Sequence, residues 1–384
     1  MFSRPTFNSL VIRRSPQGYP PRRTLDKHWK MLSSCWLLCL ALLLAAPGFA
    51  QQAAKPAATA ATFTNPLLPS GADPWSIYHD GYYYYTHTTG RNLTLWKTKS
   101  LSQLKTAPSK VVWTPPASGP NSHDIWAPEL HRLNDKWYLY YAADAGTNQT
   151  HRLWVLENNS PDPLQGTWTD RGQITDAANR WAIDGSVFEN KGQLYFVWSG
   201  WEGDVNGRQN IYLAPMSNPW TITGPSLKVS TPVFAWERQG DTSNPADPPH
   251  IDVNEGPEVI RHGNKLVLVY SASGCWTESY ALGMLTASVD SDLLQPGSWT
   301  KSPVPVFQQD AQARVYAPGH NSFFKSPDGT QDWILYHAND EPGQGCGRFR
   351  SPRAQPFTWN ADGSPNFQRP LARDQQIPRP SGEQ

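Results

Sequence analysis

One short layout recurs five times between residues 73 and 337 of the chain. A polar or aromatic residue leads a hydrophobic run, a tight turn falls eight or nine residues later, and an aromatic-rich run follows. The copies read DPWSIYHDGYYYY, WAPELHRLNDKWYLYY, DGSVFENKGQLYFVW, EGPEVIRHGNKLVLVY and HNSFFKSPDGTQDWILYH. Their leading residues are Asp73, Trp126, Asp184, Glu255 and His320. Short runs of this composition, joined by tight turns, predict β-hairpins.

The spacing of the five copies predicts how the hairpins are arranged. The leading residues stand 53 to 71 residues apart, which leaves room for four short strands in each repeat. Repeats of this kind, without a helical period between them, predict a single all-β domain, a five-bladed β-propeller. Because the first strand of each blade lines the central channel of a propeller, the five leading residues are expected to meet at one mouth of that channel.

Three of the leading residues, Asp73, Asp184 and Glu255, are carboxylic acids. Two carboxyl groups flanking a glycosidic bond are the minimum for its hydrolysis, one protonated and the other ionised. A third acid nearby keeps the first one protonated, because neighbouring negative charge disfavours ionisation. Taken singly, an Asp before Pro74 or before Gly185 is also typical of a turn. A single histidine such as His320 is more often a hydrogen-bonded structural residue than a metal ligand. Independent turn residues, however, have no reason to share one offset within a repeat.

Five motifs in order carry a resemblance to a known family. They are GADPW (71–75), HDIWAPEL (123–130), WAIDGSVF (181–188), VNEGPEV (253–259) and PGHNSFF (318–324). Together they resemble glycoside hydrolase family 43 over roughly residues 65 to 370, and within it the exo-acting α-L-arabinofuranosidases that trim 1,5-linked arabinan. The resemblance implies an inverting hydrolase that releases L-arabinofuranose from α-1,5-linked arabinan or arabino-oligosaccharides.

The resemblance also implies a role for each acid. Asp73 matches the general base, Glu255 the general acid, and Asp184 the group that raises the pKa of the acid and orients it. The acid and base of an inverting pair are expected about 6.5–9.5 Å apart, with room for water between them. Glu258 is set aside, because an odd offset along a strand places it on the opposite face from Glu255.

Further residues are expected around these acids. Trp126 is the best candidate for stacking on a sugar ring, and Trp75 and Trp181 are candidates for substrate contact or for packing between blades. The stretch RFRSPRAQPF (348–357) resembles the family segment that brings an arginine to the catalytic centre, with Arg353 preferred and Arg350 as the alternative. His320 matches the channel histidine of the family, beside a water-bound Ca²⁺ or Na⁺; no cofactor is required.

The first 64 residues predict export. Residues 1–50 hold a basic extension and a secretory signal, with Met31 as a possible true start, and residues 51–64 form an Ala/Thr/Pro linker before a catalytic domain at 65–384. The mature protein is thus expected in the periplasm or outside the cell, with no membrane association after signal cleavage. Outside the signal only Cys275 and Cys346 remain, and they are expected to form one disulfide in an oxidising compartment.

The net charge of the chain argues against some partners, and the sequence does not decide which sugar is the substrate. A net charge of +1 with 17% charged residues argues against nucleic acid, which calls for a basic surface. Alternatives of the same fold are a β-xylosidase and an arabinofuranosidase that debranches xylan. An alternative of another class is a non-catalytic sugar-binding propeller, which the presence of all three acids disfavours. The sequence leaves the oligomeric state open.

Overall fold

A computed structural model describes residues 61–245 and 247–383. Its regular elements are 23 strands and four short 3₁₀ helices, and no α-helix occurs among the described residues. The all-β prediction is therefore confirmed. The predicted secretory signal and residues 51–60 of the linker lie outside the described residues. Strand β1 (Thr62–Phe63) lies within the predicted linker, so the folded part begins earlier than Asn65.

The strands form antiparallel units of four or five. Neighbouring strands are consecutive in the chain, except that the last two strands of the third unit both pair with its third strand. The first is β2 (Ala72–His79), β3 (Tyr82–Thr88), β4 (Leu93–Thr98) and β5 (Ser109–Trp113). The second is β6 (His123–Leu133), β7 (Lys136–Asp144), β8 (Arg152–Asn158) and β9 (Thr169–Ile174). The third is β10 (Ala182–Asn190), β11 (Gln193–Trp201), β12 (Arg208–Asn218), β13 (Thr221–Ile222) and β14 (Leu227–Ser230). The fourth is β15 (Asp252–His262), β16 (Lys265–Ala272), β17 (Ala281–Ser288) and β18 (Thr300–Lys301). The fifth is β19 (Tyr316–Lys325), β20 (Asp332–Asn339), β21 (Ser351–Trp359) and β22 (Pro365–Asn366).

Two further pairings complete the sheets. A short parallel contact between β12 and β15 joins the third and fourth units into one nine-stranded sheet. The described chain begins and ends in one antiparallel pair, because β1 pairs with β23 (Ile377–Pro378). The 3₁₀ helices are Leu101–Thr106, Asn148–Thr150, Ala235–Glu237 and Pro296–Ser298.

The turn residue of each repeat lies in the left-handed region of backbone conformation. The positive φ angles belong to Gly81, Asn134, Gly192, Gly263 and Gly329. Glycine and asparagine adopt this conformation at little cost. These turns close the hairpins β2–β3, β6–β7, β10–β11, β15–β16 and β19–β20, so each leading residue lies on the first strand of its unit.

Each first strand is irregular close to its leading residue. Register shifts occur in β2, β6, β10, β15 and β19 at this point. Asp73, Asp184 and His320 also have positive φ angles, of 56°, 56° and 49°. Residues of this kind in left-handed backbone are uncommon and cluster at functional sites, and β-bulges re-aim side chains there. The irregular backbone near the leading residue therefore lies at the same end of the first strand in every unit.

Hydrophobic clusters join each unit to the next. They lie between the first and second units, the second and third, the third and fourth, and the fourth and fifth. A further cluster joins the fifth unit back to the first, with Phe324 and Trp333 against Tyr83 and Tyr85. The aromatic residues of the sequence are used chiefly here, in packing between units.

Candidate active site

The five leading residues line one cavity of about 310 Å³, which we call the acidic pocket. They come from β2, β6, β10, β15 and β19 and are Asp73, Trp126, Asp184, Glu255 and His320. Arg350 lines the same pocket from the loop before β21. Residues up to 247 positions apart in sequence thus meet, as the shared position in the repeats predicts.

Asp73 is buried and surrounded by positive and polar groups. Arg350 donates from Nη1 to Asp73 Oδ1 at 3.0 Å, Nδ1 of His320 lies 3.2 Å from the same oxygen, and Thr88 donates to Oδ2 at 2.6 Å. Burial raises the pKa of Asp73, but Arg350 and His320 outweigh burial and hold the pKa well below its usual range. The carboxylate is therefore ionised at any ordinary pH.

His337 supports the strained backbone of Asp73 from β20. The Asp73 backbone N–H donates to Nδ1 of His337 at 3.0 Å, so the ring nitrogen acts as an acceptor. Burial and then the charge of Arg350 place the pKa of His337 well below its usual value, which keeps the ring neutral. The ring is also stacked against Tyr280 at 5.8 Å between centroids. No motif in the sequence pointed to His337.

Glu255 is half-buried and accepts one hydrogen bond from a tyrosine. Tyr280 donates from its hydroxyl to Oε1 of Glu255 at 2.8 Å. Burial, followed by the negative charge of Asp184, raises the pKa of Glu255 to about 7. Glu255 therefore keeps its proton into the neutral range, whereas Asp73 in the same pocket loses its own.

Asp184 lines the same pocket and interacts electrostatically with both of these acids. Its Oδ2 accepts the backbone N–H of Gly256 at 2.9 Å, which ties it to the peptide next to Glu255. Burial and the charge of Asp73 raise the pKa of Asp184 to about 6, against the lowering effects of His320 and the Gly256 hydrogen bond. Asp184 thus both orients the bulge that carries Glu255 and adds negative charge beside it.

His320 offers a poor set of ligands for a metal ion. Among the described residues, no group of three or more His, Cys, Asp and Glu side chains could hold a metal ion. Burial lowers the pKa of His320, but Asp73, Asp184 and Glu255 together raise it, so a proton on the ring already supplies positive charge here. The side chains alone therefore do not fit Ca²⁺ or Na⁺.

The structure places Arg350, and not the preferred Arg353, at the acidic pocket. Arg353 lies inside β21, is fully buried and pairs with Asp340. Arg350 is the last residue before the strand begins, at the edge of the sheet where Asp73 lies, and its side chain reaches the acidic pocket. Two basic residues three positions apart cannot be told apart until the start of the strand is known.

Trp126 is the tryptophan of the acidic pocket. It is half-buried, and its ring is stacked on His151 with centroids 4.0 Å apart and planes 26° apart. A ring supported in this way presents a fixed aromatic surface, which suits the apolar face of a sugar.

Trp75 and Trp181 are used in packing instead. The Trp75 indole donates to the carbonyl of Leu130 at 3.0 Å and is buried between the first two units. Trp181 is stacked on Trp201 with planes 11° apart and donates to the carbonyl of Asn148. Neither lines the acidic pocket. Both pack between units, which was the alternative expected for them, and their contact with substrate stays a prediction.

Glu258 lies in a different cavity, but not for the reason expected. Glu255 pairs with Ser271 and Glu258 pairs with Val269, so the bulge lets three residues of β15 span two of β16. The two glutamates therefore lie on the same face, about 7 Å apart along the strand. Glu258 lines a second cavity of about 380 Å³ with Trp75, Ser76, Phe323 and Trp359, among others.

The predicted disulfide is confirmed. Cys275 and Cys346 are bonded, with their Cα atoms 5.2 Å apart, and join the loop after β16 to the loop before β21. Both cysteines also line the acidic pocket, which the sequence gave no reason to expect. Tyr280 is the other unexpected neighbour of the acids, because it lies in a loop without a repeat motif.

Comparison with known proteins agrees with this geometry. The sequence profile described as glycosyl hydrolases family 43 matches residues 63–365. An extracellular exo-alpha-(1->5)-L-arabinofuranosidase of Streptomyces avermitilis is 40% identical over 340 residues, which cover 86% of this chain and 68% of that protein. A protein of the same name from Streptomyces chartreusis is 39% identical over 300 residues, 77% of this chain and 87% of its own.

A solved structure is similar over nearly the whole of its chain. The crystal structure of alpha-L-arabinofuranosidase from Lactobacillus brevis aligns with a TM-score of 0.74 and 37% identity, over 82% of this chain and 98% of the other. The described residues contain no helix long and apolar enough to cross a membrane.

Proposed function

The chain belongs to glycosyl hydrolases family 43 and is a glycosidase, and from this premise we propose that it is an exported, inverting α-L-arabinofuranosidase that releases L-arabinofuranose from the ends of α-1,5-linked arabinan or arabino-oligosaccharides. The observation that carries the proposal is the opposite shift of two pKa values in one pocket. Asp73 is held ionised and Glu255 is held protonated toward neutral pH. Groups whose environments push their pKa values apart are suited to act as base and acid.

The reaction then follows from the two groups. Asp73 accepts a proton from a water molecule, whose oxygen attacks the anomeric carbon from the face opposite the leaving group. Glu255 gives its proton to the glycosidic oxygen as the bond to the anomeric carbon breaks. One water is consumed, and the arabinose is released with inverted configuration, as the β-anomer from an α-linkage. The proton taken up by Asp73 returns to Glu255 through solvent before the next turnover.

The other pocket residues are assigned to support these two. Asp184 raises the pKa of Glu255 by its charge and holds the Gly256 peptide. Arg350 orients Asp73 and keeps it ionised. Trp126 is assigned as the platform on which the sugar packs, because its supported ring lies in the same pocket.

We also propose that the five units are the blades of a β-propeller around one channel. The order of hydrophobic clusters, with the fifth unit packed against the first, supports a closed ring of five blades, each with four or five strands. The catalytic domain then begins no later than β1 at Thr62, and it is preceded by a secretory signal over 1–50 and a linker that ends before β1. Export is supported by the two Streptomyces relatives, both of which are named as extracellular enzymes.

One incubation series tests the proposal. Mature protein is incubated separately with linear arabinan, xylan and aryl α-L-arabinofuranosides, and products are followed by size and by proton NMR of the anomeric signal. The expected result is arabinose alone from arabinan, appearing first as the β-anomer. Release of xylose would favour the β-xylosidase, arabinose from xylan alone the debranching enzyme, and binding without hydrolysis the sugar-binding propeller.

The ion beside His320 stays a prediction. An ion held there through water would be structural, and dialysis against EDTA would then lower the melting temperature or the activity. Unchanged values of both would contradict it.

A further inference from the structure

The disulfide lies in the wall of the acidic pocket and joins two loops that contact the proposed acid and the proposed base. One partner, Cys275, belongs to the loop at 273–280, whose last residue is Tyr280. The other, Cys346, belongs to the loop at 340–350, whose last residue is Arg350. Tyr280 donates to Glu255, and Arg350 donates to Asp73. The bridge therefore connects the two loops that supply the hydrogen-bond partners of the proposed acid and base.

The second loop is fixed at its start by ion pairs of Asp340 and Glu341, and around Cys346 it is held chiefly by the disulfide and by Asn339 donating to the Gly345 carbonyl. Its sequence is DEPGQGCGRFR, with glycines at 343, 345 and 347, and residues 341–343 and 347–349 are exposed. Glycine adds conformational freedom, so an exposed loop of this composition is expected to sample many arrangements unless it is tied. One end is fixed where the Gly71 N–H donates to the carbonyl of Arg350 at 2.9 Å.

The first loop is held more firmly. Tyr280 is almost fully buried, and its ring covers Gly319 so closely that a Cβ there would lie 2.1 Å from it. Besides the disulfide, Glu278 accepts the Gly343 N–H at 2.5 Å across the two loops. The rigid loop can thus serve as the anchor, and the glycine-rich loop is what the bridge restrains.

We propose that the Cys275–Cys346 disulfide is a positioning element of the active site, which holds Arg350 against Asp73 by fastening the glycine-rich loop to the loop of Tyr280. An inverting enzyme needs a fixed gap between acid and base that fits one water and one anomeric carbon. A cross-link between the two loops that contact the acid and the base holds that gap, and misplacement by about 1 Å costs on the order of a hundredfold in rate. The inference rests on the proposed function, since it assumes that Asp73 is the base.

The test is a double-mutant cycle on kcat. Cys275→Ser with Cys346→Ser removes the bridge, Arg350→Met removes the group that the bridge positions, and all three changes are combined in a fourth protein. With 4-nitrophenyl α-L-arabinofuranoside, loss of the bridge is expected to lower kcat about tenfold in the native background and less than about twofold in the Arg350→Met background. A cross-link that only stabilises the fold lowers the melting temperature and leaves the kcat of folded protein unchanged.

Two further measurements keep the result interpretable. If the double cysteine variant does not fold, native and Arg350→Met proteins are reduced with a water-soluble phosphine, with free-thiol counting to confirm cleavage. Glu278→Ala, which leaves the bridge intact, is expected to lower kcat by a smaller factor that also vanishes in the Arg350→Met background. Equal losses in both backgrounds, or no loss of kcat, overturn the inference. A native protein that does not hydrolyse the arabinofuranoside overturns the proposed function instead.

Discussion

Two cavities lie along the first strands, and the larger one is not the candidate site. The second cavity has about 380 Å³ against about 310 Å³ for the acidic pocket. Each contains a glutamate of β15 with a raised pKa. In the acidic pocket Glu255 has Tyr280 as a hydrogen-bond partner. In the second cavity Oε2 of Glu258 has no hydrogen-bond partner among the described residues.

The difference shows what identifies a catalytic carboxyl. Burial alone raises the pKa of both glutamates, so a raised pKa does not select between them. Glu255 shares its cavity with Asp73, whose pKa is shifted the opposite way. The second acid of the other cavity, Asp332, is paired with Lys325 and accepts a hydrogen bond from Trp359. Hydrolysis needs a protonated and an ionised carboxyl together, and the acidic pocket holds such a pair in Glu255 and Asp73.

The largest expected effect separates the two glutamates by activity. Glu255→Ala is expected to lower kcat on arabino-oligosaccharides by about 10²–10⁴, because the leaving oxygen then departs without a proton. On aryl arabinofuranosides, whose leaving groups need little protonation, the loss is expected to be much smaller. Glu258→Ala is the matched control and should leave the kcat of folded protein within about twofold. Steady-state kinetics on both substrates measures the four values; equal losses on both substrates, with Glu258→Ala the worse variant, would reverse the assignment.

The next effect concerns pH. Glu255 must be protonated to act, and its pKa is about 7, so kcat/KM on arabino-oligosaccharides should fall as pH rises through about 7. Asp184→Asn removes a negative charge that raises this pKa, so the decline of kcat/KM should begin at lower pH. At a fixed pH on the descending side of the profile, kcat/KM should be about tenfold lower for each pH unit by which the profile moves. A pH profile of kcat/KM checks this. In the Glu258→Gln control, kcat/KM should decline over the same pH range as in the native protein. An unchanged pH range in Asp184→Asn would show that Asp184 does not raise the pKa of Glu255.

The sequence predicted the acidic pocket better than its surroundings. Alternating runs and turn residues are local signals, so the repeats predicted the hairpins and the leading residue of each one. That Asp73, Asp184 and Glu255 meet follows from the repeats, because equivalent positions in equivalent units lie at the same edge.

The contacts made by loops could not be predicted in this way. Arg350 and Arg353 differ only in whether they precede or enter β21, and strand boundaries are set by pairing with β20. Glu258 was set aside by a rule for regular strands, whereas a bulge at Gly256 alters the face count. Tyr280 lies in a loop that carries no pattern linking it to Glu255.

A smaller effect compares the tryptophans of the two cavities. Trp126→Ala should lower kcat/KM on arabino-oligosaccharides by about twofold to tenfold, because an aromatic contact contributes roughly 0.5–1.5 kcal/mol. Trp75→Phe, in the second cavity, loses the hydrogen bond to Leu130 and should lower the melting temperature while kcat/KM per folded molecule stays unchanged. Kinetics paired with thermal melts measures both variants. A Trp75→Phe protein with weakened kcat/KM and native stability would restore Trp75 as a substrate contact.

The smallest expected effect is on the pH dependence of stability, in which the two glutamates should behave alike. Burial, and for Glu258 the nearby charge of Glu129, raises the folded pKa above the ordinary value of 4.5 in both. Above pH 4.5 the folded chain then binds more protons than the unfolded chain, so stability falls as pH rises toward the folded pKa. Glu255→Gln and Glu258→Gln should each flatten the decline of melting temperature with pH, by a few degrees, and for Glu255 the effect should be complete by about pH 7. Melting curves across pH test this, and a Glu258→Gln protein with the native slope would mean that its carboxyl is not held protonated. If both slopes flatten while only Glu255→Gln loses activity, burial holds both carboxyls protonated. The ionised Asp73 in the same pocket is then what makes Glu255 an acid catalyst.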